Sequence, residues 1–271
     1  MLGSCLDRVR ERAPLIHCIT NFVTANDVAN LLLACGASPI MACDPREVEE
    51  VAARSAGLVL NLGTLSHASL PAMAAAGRRA AALGRPVVLD PVGAGFLPAR
   101  TRAARELLDQ VPVAAVRGNL SEIRALTGRE SAPRGVDAGG GDRFDREDRA
   151  AAFAREAARQ LGTVAAVTGE TDLVSDGARC FLIRNGRPEM GRVTGTGCQL
   201  SALTAAFLAA NPHRPLEGAA AAVCAMGLAG ELAWGRMAPG EGNASYRTRI
   251  IDAVFLMDGN TLDKGARYEI G

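Results

Sequence analysis

Aromatic residues make up only 4% of this 271-residue chain, with a single tryptophan. So sparse a set provides no row of rings for nucleobases to stack on. Charge of one sign is also missing: 30 Lys and Arg face 29 Asp and Glu, a formal net charge of +1. Without a basic field nothing holds a nucleic-acid backbone. The seven cysteines, Cys5, Cys18, Cys35, Cys43, Cys180, Cys198 and Cys224, are odd in number and contain no CxxC pair. That argues against a disulfide framework or a thiolate zinc site, and a reducing, cytoplasmic setting fits best. Histidine is scarce, and His17, His67 and His213 share no metal-ligand spacing. Charges at Asp7 and Arg8 come too early for the apolar stretch of a secretory leader. The uncharged stretch 193–213 is broken by Gly, Thr, Asn and Pro, so a buried helix with its entry loop is expected there, not a membrane span.

What is present is apolar: 48% hydrophobic residues against 22% charged, enough for a globular chain with a substantial core. Short apolar runs at 15–19, 38–41, 58–61, 86–90, 113–116 and 164–168 read as strands. Helical patterns at 24–34, 45–53, 68–83, 99–108, 121–126 and 146–161 alternate with them. Such alternation points to an α/β fold with a mostly parallel central sheet and helices on both faces. After 168 the pattern changes. Runs at 173–175 and 179–183 around Asp176-Gly177 read as a hairpin, and 198–210, 216–237 and 243–256 read as helices. The Gly- and Asp-rich loop 131–145 reads as a mobile excursion and not a boundary, so 1–271 is expected to be a single domain.

Thr194-Gly195-Thr196-Gly197-Cys198 runs straight into a small-residue helix. One reading is a helix start that needs flexible glycines. The other is an anion site, where unpaired N–H groups and the positive helix end face a phosphate. A thiol there is expected to have a lowered pKa. Ligands of open parallel sheets bind beyond the carboxyl ends of the strands. Those ends carry Thr20-Asn21, Met41, Asn61-Leu62-Gly63-Thr64, Asp90-Pro91-Val92-Gly93, Arg117-Gly118-Asn119 and Thr168-Gly169-Glu170. Turn formation accounts for the glycines, but not for Asp90 and Arg117. Asn119 and Glu122 have the spacing of a capping box; Glu122 also suits a hydrated magnesium ion, with Asp90 assisting.

Together, the segments at 14–24 (PLIHCITNFVT), 36–41 (GASPIM), 60–65 (LNLGTL), 88–95 (VLDPVGAG), 117–122 (RGNLSE), 134–137 (RGVD), 166–169 (AVTG) and 195–198 (GTGC) resemble the hydroxyethylthiazole kinases of the ribokinase-like superfamily. They run in family order over nearly the whole chain, and so the match is specific. The resemblance implies ATP- and magnesium-dependent phosphorylation of 4-methyl-5-(2-hydroxyethyl)thiazole for thiamine synthesis or salvage, by a homotrimer with sites between subunits. It places Met41 and Gly195 on the thiazole with Asn21 nearby, Arg117 and Thr168 on ATP, and Cys198 where related kinases carry a catalytic aspartate. A kinase for another small alcohol, such as a hydroxymethylpyrimidine, is the nearest alternative. Acyl transfer from a Cys198 nucleophile lacks a histidine partner, and a nucleotide-binding module without catalysis would have no use for Cys198 and Glu122.

Overall fold

The computed structural model describes residues 2–66, 68–128 and 146–271. The expectations for His67, for the 134–137 segment and for the 131–145 loop lie outside the described residues. Among the described residues nine strands form one sheet: β1 (Leu15–Ile19), β2 (Ser38–Ile40), β3 (Gly57–Asn61), β4 (Val87–Asp90), β5 (Ala115–Asn119), β6 (Val164–Thr168), β7 (Asp172–Ser175), β8 (Cys180–Ile183) and β9 (Tyr268–Ile270). Their order is β2-β1-β3-β4-β5-β6-β7-β8-β9. The first six are parallel, and β7, β8 and β9 continue the sheet antiparallel.

Alternate residues of the parallel strands feed two separate cores. Val59, Val88 and Ala115 face one side with α1 (Gly3–Arg12), α2 (Ala25–Cys35), α8 (Thr196–Ala210), α9 (Pro215–Gly235), α10 (Asn243–Leu256) and α11 (Gly259–Gly265). Leu58, Leu60, Val87, Leu89 and Val116 face the other, under α3 (Val48–Arg54), α4 (Ser69–Ala82), α5 (Pro98–Gln110), α6 (Leu120–Leu126) and α7 (Glu147–Leu161). The strands read as continuous apolar runs because both faces are covered. Burial on all sides also explains α8 and α9. Beyond its first turn α8 is buried at every residue but Ala209, and α9, though long and apolar enough to cross a membrane, has 83% of its apolar window inside the protein.

The strand expected at 113–116 instead runs from Ala115 to Asn119, because pairing with β6 extends to Asn119↔Thr168. Arg117 and Asn119 are thus strand residues and not loop residues. Helix α8 begins at Thr196, two residues early, which puts Gly197 and Cys198 inside its first turn. Four elements among the described residues were not expected: α1, α11, β9 and a 3₁₀ helix at Pro188–Arg192. Leu2, Cys5, Leu6 and Val9 do show helical spacing in and beside α1. Strand β9 has only three residues, and its order comes from pairing Tyr268 with Ile183 and Ile270 with Phe181.

Candidate functional site

The carboxyl ends of β1, β3, β4, β5 and β6 meet under the N-terminus of α8, and buried polar side chains gather there. The cap residue Gly195 has φ +87°, and a Cβ on it would lie 2.6 Å from Thr24 Cγ2. Only glycine takes that conformation in that space. No side chain caps the helix. The first helical bond runs from Gln199 N–H to Gly195 O, so the amides of Thr196, Gly197 and Cys198 lie ahead of the ladder.

Cys198 Sγ sits among donors. Asn21 Nδ2 and Asn61 Nδ2 each donate to it at 3.2 Å. The network fixes how both amides face. Asn21 Oδ1 accepts from Thr24 N–H and Oγ1, and Asn61 Oδ1 accepts from Gly63 N–H and Asn21 Nδ2. Both NH₂ groups must then point at the sulfur. The lowered thiol pKa expected from the helix end does not hold: burial pushes the Cys198 thiol up, the Asp90 carboxylate adds to this, and the hydrogen bonds from Thr24, Asn61 and Asn21 offset only part.

Asp90, wholly buried, accepts at Oδ2 from Asn61 Nδ2 (2.7 Å) and Ser201 Oγ (2.8 Å). Its Oδ1 faces Arg117 Nη1 at 3.9 Å and has no hydrogen-bond partner; neither has Arg117 Nε. Arg117 Nη2 donates to Thr168 Oγ1 at 2.8 Å. Burial drives the Asp90 carboxyl pKa upward, against the pull of Arg117, Ser201 and Asn61. Unpaired buried atoms on two charged side chains are costly and uncommon outside functional sites.

Glu122 completes the capping box: Oε2 accepts from Asn119 N–H (2.8 Å) and Oε1 from Gly93 N–H (2.9 Å), while Asn119 Oδ1 accepts from Glu122 N–H. Burial first, then the Asp90 charge, push its carboxyl up to about 7. Since the folded value is the higher one, its protonated form stabilises the fold at low pH, and that contribution is lost as pH rises through about 7. Glu122→Gln leaves one backbone N–H without its acceptor. At pH 5 the wild type should therefore melt higher than Glu122→Gln, and the gap should narrow by pH 8 in cation-free buffer. Parallel melting curves across that range would contradict the assignment.

Asn21, Gly195, Asp90, Arg117, Glu122, Thr168 and Cys198 thus come together. Met41 does not join their hydrogen-bond network; it follows β2 at the sheet edge, 40% exposed. His17 is buried: Nε2 donates to Ala42 O (2.8 Å), holding the chain next to Met41, and burial lowers its pKa. Sequence reasoning gave no role to Asn61, Thr24 or Ser201. Ser201 lies one turn beyond Cys198 on the same helix face, and that spacing was the available signal.

The model of the hydroxyethylthiazole kinase family matches residues 6–259. A hydroxyethylthiazole kinase of Clostridium acetobutylicum is 48% identical over 271 residues, covering 99% of each chain. A solved structure of a hydroxyethylthiazole kinase protein from Pyrococcus horikoshii is 40% identical, with a TM-score of 0.89 over 100% of this chain and 98% of that one. A ribokinase-like superfamily protein from Enterococcus faecalis, 13% identical, aligns at a TM-score of 0.62 over 96% of this chain and 95% of its own. That last likeness concerns the fold, which is ribokinase-like.

Proposed function

The chain belongs to the hydroxyethylthiazole kinase family, and from that premise we propose that its site transfers the γ-phosphoryl group of ATP to the hydroxyl of 4-methyl-5-(2-hydroxyethyl)thiazole, in thiamine synthesis or salvage. One observation carries the reading: the free amides at the start of α8 open beside Cys198, Asp90 and Arg117, on the edge of the sheet where ligands bind. The alcohol oxygen bonds to the γ-phosphorus, the bond from phosphorus to the β–γ bridging oxygen breaks, and ADP leaves. A loose transition state demands positioning and charge neutralisation more than early deprotonation of the alcohol. The amides of Thr196, Gly197 and Cys198 hold the equatorial oxygens. Arg117 and Thr168 orient the nucleotide, while Asn21, Met41 and Gly195 border the thiazole.

Cys198 takes the alcohol proton late, in the place where related kinases carry a carboxylate. The acceptor is the thiolate form of Cys198, which burial makes scarcer and more basic and to which the Asn21 and Asn61 amides donate. Among the described residues no cluster of three or more His, Cys, Asp or Glu side chains forms a metal cage. Asp90 and Glu122 are a buried carboxylate pair, each raised in pKa, and such a pair favours a cation nearby. Both are buried, so they suit a magnesium ion that keeps its waters and is held by nucleotide phosphates. Bound there, magnesium would neutralise charge on the transferring phosphates.

The protein acts in the cytoplasm as a homotrimer with the site between subunits. In support, the exposed apolar residues Phe22, Val23, Leu33, Phe255 and Leu256 lie on or beside α2 and α10, with Met41 at the sheet edge. A coupled ADP-release assay tests the activity. Release should need both the hydroxyethylthiazole and magnesium, and hydroxymethylpyrimidine should give little. Equal or faster turnover of hydroxymethylpyrimidine would move the enzyme to the alternative substrate.

A further inference from the structure

Behind the site lies a second guanidinium that pairs with no carboxylate among the described residues. Arg100 stands in the first turn of α5. Its Nη2 donates to Gly63 O at 2.6 Å and its Nη1 to Val92 O at 3.2 Å. Gly63 follows β3 and Val92 follows β4, two neighbouring parallel strands. One planar group thus spans both loops that carry the site out of the sheet.

Each loop is also tied from the site side. Gly63 N–H donates to Asn61 Oδ1, and the Asn61 amide reaches Cys198 Sγ and Asp90 Oδ2. Gly93 N–H donates to Glu122 Oε1. The β3 loop therefore leads to the proton acceptor, and the β4 loop to the carboxylate pair. Local geometry is shaped around the guanidinium. Gly93 has φ +79°, and a Cβ there would lie 2.8 Å from Arg100 Nη1 and 3.2 Å from its Cδ. The next residue adds a further tie, as Gly95 N–H donates to Thr101 Oγ1 at 2.9 Å.

We propose that Arg100 is a positioning residue for phosphoryl transfer, a two-loop clamp that fixes the Cys198–Asn61 side of the site against the Asp90–Glu122 side. This rests on the kinase reading above. The choice of arginine follows from the task. Donors on two nitrogens of a rigid fork can hold two carbonyls at once, whereas an ammonium is a point charge on a flexible stem. The guanidinium donates to Gly63 O and Val92 O, both loop carbonyls, so its loss should act on the rate once both substrates are bound. Misplacement of reacting groups by about 1 Å can cost around 10²-fold.

Arg100→Met and Arg100→Lys test this. In Arg100→Met, kcat per folded enzyme should fall at least about tenfold, with both KM values within about threefold of wild type. Arg100→Lys should recover less than about a third of the wild-type kcat, since charge without the fork cannot span both loops. Hydrogen exchange gives a readout independent of turnover. In Arg100→Met, the peptides covering 62–66 and 92–96 should both exchange faster, while β1 and β6 stay protected. The clamp is overturned if Arg100→Met keeps the wild-type kcat per folded molecule, if Arg100→Lys is fully active, or if exchange in the two loops is unchanged. Should wild-type enzyme leave the thiazole alcohol untouched, the kinase reading fails, and the exchange result still decides whether Arg100 joins the loops.

Discussion

Arg117→Met is expected to abolish detectable phosphorylation and to lower the melting temperature by roughly 6–20 °C. Two separate losses combine here. Arg117 is the charged donor that orients the nucleotide, held by its bond to Thr168 Oγ1. It is also the cation facing Asp90 Oδ1, an oxygen with no other partner. Removing one member of a buried pair typically costs about 3–5 kcal/mol, because the remaining charge stays buried. For a domain of this size each kcal/mol is worth about 2–4 °C. The sign with pH follows from Asp90. Its carboxyl is already raised by burial, and Arg117 is the first of the groups that oppose the rise. Without Arg117 the folded value climbs further, so stability is retained at low pH and lost as pH rises through that value. The melting deficit should therefore be smaller at pH 5 than at pH 8. The double variant Arg117→Met/Asp90→Asn should regain most of the stability and none of the activity. An Arg117→Met enzyme that melts like wild type at pH 8 would show that the 3.9 Å approach to Asp90 carries no weight.

Cys198→Ala should lower kcat by about 10²-fold, the lower end of the usual range for proton-transfer groups, with the KM for ATP changed less than about threefold. The lower end is expected because a loose transition state needs the acceptor only late. The α8 amides that grip the phosphoryl group are main-chain atoms, and the alanine keeps them. Cys198→Asp should remain active and exceed Cys198→Ala by at least about tenfold. Its carboxylate would accept from the same Asn21 and Asn61 amides that now donate to sulfur. Steady-state kinetics on the three enzymes decide the point. An unchanged kcat in Cys198→Ala would remove the proton-accepting role, and a folded but inactive Cys198→Asp would count against a shared mechanism with carboxylate-bearing kinases.

Much of this was legible in the residues. Strands covered on both faces must be apolar throughout, and so β1 and β6 could be delimited to the residue. The edge where ligands bind followed from parallel order alone, and with it Asn21, Asp90, Arg117 and Thr168. The capping box of Asn119 and Glu122 was readable from spacing. What escaped depended on tertiary partners. Strand β9 exists because β8 offers an open edge. Asn61 looks like any strand-terminal turn former until Cys198, Asp90 and Asn21 are placed around it. The thiol pKa went the wrong way because a helix terminus is visible in sequence, whereas the burial of Cys198 and its closeness to Asp90 are not. Arg100 lies in an otherwise ordinary amphipathic helix, and only the loops it joins single it out.

The most direct test is a crystal structure with magnesium and a non-hydrolysable ATP analogue. The expected result is a terminal phosphate within hydrogen-bond distance of the amides of Gly197 and Cys198, with Arg117 on the nucleotide. A terminal phosphate bound away from the start of α8 would contradict the mechanism at its root.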